Sequence, residues 1–117
     1  FIQTHAVFDI ELFRHWLESV HREGITQKVA ILAGVMPLAS YAEARKLADT
    51  YTDLHIPDAV LNRMEKAGSD ENQKKEGVII CTEIIKGIKQ LPGLRGVHIL
   101  SGGNEAIVPQ VIKEASL

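Results

Sequence analysis

The longest apolar run in the chain is Lys28 to Leu38, KVAILAGVMPL, and within it VAILAGVM offers no polar face at all. Strands that meet water on one side alternate, so a run apolar on both sides predicts a buried parallel strand, here one that passes through a Gly-Val-Met-Pro turn into a helix. The same plan recurs on either side of it. Phe1 to Phe8 is rich in β-favouring residues, and Asp9 offers an N-cap to a helix from Ile10 to Glu23. That helix has Phe13, Trp16, Leu17 and Val20 on one side, Arg14, Glu18 and Arg22 on the other, and Gly24 as an αL stop.

After the central run, Ser40 and Glu43 stand at capping-box spacing and open a helix from Tyr41 to about Tyr51, with Tyr41, Ala44, Leu47 and Ala48 inward. Thr52 to Pro57 reads as a connection. Pro57-Asp58 then starts a short helix with Val60, Leu61 and Met64 inward, closed by Gly68. Ser69-Asp70 caps a long helix from about Glu71 to Gln90 that is apolar at Val78, Cys81, Ile85 and Ile88. Gly77 and Gly87 lower its helix propensity, so each is expected to mark a close packing contact. Pro92-Gly93 ends it, Val97 to Leu100 forms a third strand, and Ser101-Gly102-Gly103 leads into a last helix from Asn104 to about Ala115.

Strands alternating with helices imply an α/β fold with right-handed crossovers and a parallel sheet. Three such strands leave two open edges and incomplete cover, which argues for further strands. A (β/α)8 barrel of about 250 residues would supply them, and the chain corresponds to about its last three β/α units, a partial TIM barrel. A start at Phe1, directly in a strand-like run, is in keeping with a C-terminal segment of something longer.

Composition narrows the function. With 117 residues one small domain is expected, and a net charge of −2 gives no field suited to nucleic acid or an anionic membrane. No apolar stretch has transmembrane length, and a cytoplasmic protein is expected. Cys81 is the only cysteine, which excludes an internal disulfide, and its apolar surroundings read as burial. No metal-ligand spacing is present.

Three stretches together, FIQTHAVFDIELF, VAILAGVMPLASYAEARKLAD followed by HIPDAVLNRM, and GVHILSGGNEA, resemble methylenetetrahydrofolate reductase in order and spacing. The resemblance spans nearly the whole chain and corresponds to the final part of the family's catalytic barrel. It implies an FAD-dependent oxidoreductase that reduces 5,10-methylenetetrahydrofolate to 5-methyltetrahydrofolate. Electrons would come from NAD(P)H or, in some branches, from another protein subunit. The family's T-Q-x-x-F-D pattern, whose glutamine contacts the pterin, corresponds to Thr4-His5-Ala6-Val7-Phe8-Asp9, so His5 stands where glutamine is usual. Glu43 and Leu47 take positions where bacterial NADH-dependent members present a glutamine and an aromatic, and Ser101 to Asn104 lacks the arginine those members hold after the last strand.

The resemblance thus implies substrate-binding positions at His5, Glu43, Leu47 and Asn104, and a cofactor-side position at Thr4. The acid and most of the FAD contacts belong to the first five strands, so no residue here is assigned a catalytic role. Plainer readings stand beside these. Asp9 and Glu43 have capping tasks, His98 reads as an interior residue, and His15, His21 and His55 as surface or loop residues. Gly102 and Gly103, at a helix start, form a candidate phosphate site or simply a tight turn. The expected partners are a folate and the N-terminal remainder of the barrel. The alternative is a stand-alone half-barrel that self-associates or takes a phosphate-bearing ligand.

Overall fold

A computed structural model describes residues 1–51, 54–100 and 108–114, the side chains of Val108, Gln110 and Glu114 excepted. Strand β1 (Ile2–Ala6) leads to helix α1 (Ile10–Arg22), a single turn α2 (Ile25–Lys28), and β2 (Ile31–Val35). Helices α3 (Tyr41–Thr50), α4 (Asp58–Lys66) and α5 (Asp70–Ile88) follow, then β3 (Leu94–Ile99) and α6 (Val108–Glu114). The strands form one sheet in the order β1-β2-β3, parallel throughout. The expected α/β class and parallel pairing are therefore present. Of the connection at Thr52 to Pro57, Thr52 and Asp53 lie outside the described residues, as does the expected start of the last helix at Asn104.

β2 is the centre of the core, with Ile31, Ala33 and Val35 at 1% exposure or less. It is shorter than the apolar run that announced it. Lys28 closes α2, and pairing begins only at Ile31, where both neighbours meet it: Ile2 and Leu94 are its Cα partners. β3 begins three residues earlier than Val97, because β2 supplies partners for Leu94 and Gly96 despite the weak strand preference of that glycine.

The caps follow local chemistry. The Asp9 carboxylate accepts from the Leu12 N–H at 3.0 Å, and the Ser69 hydroxyl accepts from Asn72 N–H at 3.2 Å. Ser40 accepts from the Glu43 N–H at 3.1 Å, but Glu43 reaches back to the N–H of Ala39 at 3.3 Å rather than to that of Ser40. The box is thus widened by one residue. On α1, Phe13 and Leu17 are buried, but Trp16, expected on the same face, is 41% exposed. Its ring lies 5.8 Å from that of Phe13 and lines the groove beside β1 instead of entering the core.

Helix α5 packs against β2, α1, α4 and α6. Val78, Cys81, Ile85 and Ile88 are all buried, as their spacing predicts. Across the helix–helix contact with α4, Arg63 pairs with Glu76 and Glu83 at 2.8 and 2.7 Å. Both helical glycines sit at close contacts: a Cβ on Gly77 would lie 1.7 Å from the Leu38 carbonyl oxygen, and one on Gly87 would lie 2.7 Å from Ile10 Cδ1.

Burial also sets the chemistry of Cys81, whose thiol is pushed from its ordinary 9.0 up to about 12 by desolvation of the thiolate. Above pH 9 the unfolded chain loses this proton while the folded chain keeps it, so the stability this thiol contributes falls as pH rises from 9.0 towards about 12. Urea titrations of the native chain and Cys81→Ala between pH 7 and 11 are expected to show a steeper alkaline decline in the native chain. Parallel declines would contradict the burial.

Candidate functional site

Among the described residues β1 pairs only with β2, so its other edge is open, and a groove of about 800 Å3 runs along it. Every residue from Ile2 to Asp9 lines this groove. Leu12, Phe13 and Trp16 of α1 form an apolar wall, and His15 and His55 stand on its rim. With Ile2 41%, Leu12 47% and Trp16 41% exposed, the lining of the groove is unusually apolar for a surface facing water.

The floor of the groove is an irregular piece of sheet. Gln3 is the partner of Leu32 and Ala6 the partner of Gly34, so β1 advances three residues where β2 advances two. The extra residue is a β-bulge within Thr4-His5. Thr4 Oγ1 accepts from the Gly34 N–H at 3.0 Å and donates to the His5 carbonyl at 2.8 Å. Regular pairing resumes with the Val7 N–H donating to the Gly34 carbonyl at 2.8 Å. Gly34 is required beneath the bulge, since a Cβ there would lie 2.7 Å from the Thr4 carbonyl oxygen and 3.1 Å from that of His5.

Of the residues that the sequence nominates, Thr4 and His5 meet in this groove, Thr4 half-buried and His5 exposed. Asp9 joins them at the strand end while serving as the α1 cap. Glu43 and Leu47 are on α3 and do not line it; Glu43 is engaged with Ala39, and Leu47 packs partly buried against the core. Gly102, Gly103 and Asn104 lie outside the described residues. His98 is half-buried on β3, with Gly34 as its partner across β2. His21 is exposed at the end of α1, its Nδ1 2.6 Å from the Thr26 hydroxyl.

His15 and His55 are exposed, as expected of surface residues, but the sequence carries no sign that they share a groove with His5. The left-handed backbone of His55, φ 53°, was equally silent. A glycine or asparagine there would have signalled it.

The groove suits a flat heterocycle better than a charged cofactor tail. An imidazole and a wall of Trp16, Phe13 and Leu12 can bond to and cover a ring. The diphosphate of FAD calls for cations or several free N–H donors. No lysine or arginine is among the described residues that line the groove, and the Thr4 hydroxyl proton is already given to His5 O. The described residues therefore do not fit the diphosphate. No three His, Cys, Asp or Glu side chains among the described residues are grouped to hold a metal ion.

Three parallel strands joined through helices define a protein of the α/β class, with a groove lined by one strand and the helix after it. The family model of methylenetetrahydrofolate reductase matches residues 1–116, and the chain belongs to that family. At the family level this brings oxidoreductase chemistry on a folate in one-carbon metabolism. No helix among the described residues is long and apolar enough to cross a membrane.

Proposed function

We propose that this chain forms the folate-facing, C-terminal part of a (β/α)8 catalytic barrel in an enzyme that reduces 5,10-methylenetetrahydrofolate to 5-methyltetrahydrofolate. The observation that carries the reading is the groove along β1, lined by His5, in a chain that the family model matches from residue 1 to 116; the resemblance to the family is what suggests His5 for the pterin contact. His5 would hydrogen-bond the pterin, and Trp16 and Leu12 would shield it from water. FAD, when bound, supplies the hydride. On this reading its diphosphate is held by strands preceding β1. Glu43, Leu47 and Asn104 remain substrate-side positions in this proposal, and Gly102-Gly103 a subsidiary anion site. NAD(P)H or a partner subunit is the electron source, and the enzyme works in the cytoplasm.

A titration of the chain with FAD, followed by flavin fluorescence with the solution mass taken on the same sample, tests this. The expected outcome is no tight binding by the chain alone and recovery when the N-terminal segment of a related reductase is added. Tight binding by an oligomer of the chain would favour self-association across the open edges. Absence of binding in both conditions would remove the flavoenzyme reading.

A further inference from the structure

We infer that Thr4 is a positioning residue: its hydroxyl holds the β1 bulge that sets the His5 ring in the groove, so it acts on the ligand through His5 and not by touching a cofactor. Three independent features converge on this. The register counts one extra residue between Gln3 and Ala6. The Gly34 N–H donates to the Thr4 hydroxyl at 3.0 Å, so a side chain takes part in the bonding between the strands at the bulge. Gly34 itself leaves just enough room for the Thr4 and His5 carbonyls to lie over β2.

The consequence for His5 follows from strand geometry. Side chains alternate faces, and a slip of one residue exchanges them. The Val7-to-Gly34 bond anchors the strand on one side of the bulge and Ile2-to-Ala30 on the other, at 2.8 Å each. Between these anchors the extra residue decides which face His5 occupies. The Thr4 hydroxyl has used its only proton and one lone pair. Its donor capacity is committed within the fold, which is why the role runs through His5.

The inference rests on the proposed folate reading only for the ligand that it names, and the test separates the two. NMR of the native chain should show a protected Gly34 amide; an unprotected one overturns the inference without any variant. Thr4→Val keeps the shape and deletes the hydroxyl. It should speed Gly34 amide exchange about tenfold and displace the His5 ring resonances, and Thr4→Ser should restore both. Unchanged His5 resonances in Thr4→Val, or displaced ones in Thr4→Ser, overturn the inference. Titration with 5-methyltetrahydrofolate adds the functional arm. Thr4→Val and His5→Ala should each raise Kd about tenfold, and the double variant no further, because coupled residues are not additive. Additive losses would mean that Thr4 contacts the ligand itself. If the native chain does not bind this folate even with the N-terminal segment of a related reductase added, while the NMR results hold, the folate reading falls and the positioning role stands.

Discussion

Gly77→Ala is expected to destabilise the chain by about 3 kcal/mol, at the upper end of the cost of overpacking a close-packed interior. The direction is the informative part. In an exposed helix the same change would stabilise by up to about 1 kcal/mol, because alanine is the better helix former. Here the new methyl would sit 1.7 Å from the Leu38 carbonyl oxygen and 2.7 Å from the Leu38 carbonyl carbon. Backbone cannot step aside as a side-chain tip can, so α5 must lift away from the turn after β2. Gly87→Ala is the control. Its methyl would meet the flexible end of Ile10, which can rotate away, and the net effect should be within about 0.5 kcal/mol. Urea unfolding of the two variants beside the native chain decides the matter, and similar stabilities for both would show that the Leu38 contact is not as close as described.

Gly34→Ala should cost about 2 kcal/mol and weaken the proposed folate binding by about tenfold, since overpacking shifts backbone and small displacements at a site are amplified. The stability loss is smaller than at Gly77 because β1 is an edge strand among the described residues and can retreat from the new methyl. That retreat breaks the Thr4 bridge and the Val7 N–H bond to Gly34. Amide exchange at Val7 should accelerate together with the rise in Kd. A variant that loses affinity with full protection at Val7 would mean that the bulge is not what couples this glycine to the ligand.

Both expectations concern glycines, and they differ in what the sequence could say of them. Gly77 interrupts an amphipathic helix, so propensity alone marks it as a contact, although the identity of Leu38 as its neighbour needed coordinates. Gly34 sits in an apolar run where a glycine signals only a weak strand position. Its partner Thr4 is thirty residues away in the chain, and no local rule joins them.

Local chemistry explains what was legible. The β/α alternation, the caps at Asp9, Ser40 and Ser69 and the buried stripe of α5 depend on residues within a few positions of one another. The order and spacing of the family's pieces identified the reductase family, which the match over residues 1–116 bears out.

What the sequence determined by itself, then, is the set of elements, their capping, and the family, because these are written in near-neighbour periodicity and motif spacing. Only the tertiary structure decided where β2 and β3 begin, that Trp16 faces a groove and not the core, that His15 and His55 border the same groove as His5, and that β1 carries a bulge held by Thr4. Each of these depends on which backbone groups and surfaces meet across the sheet. Pairing partners and shared cavities are properties of distant segments brought together, and periodicity along the chain holds no record of them.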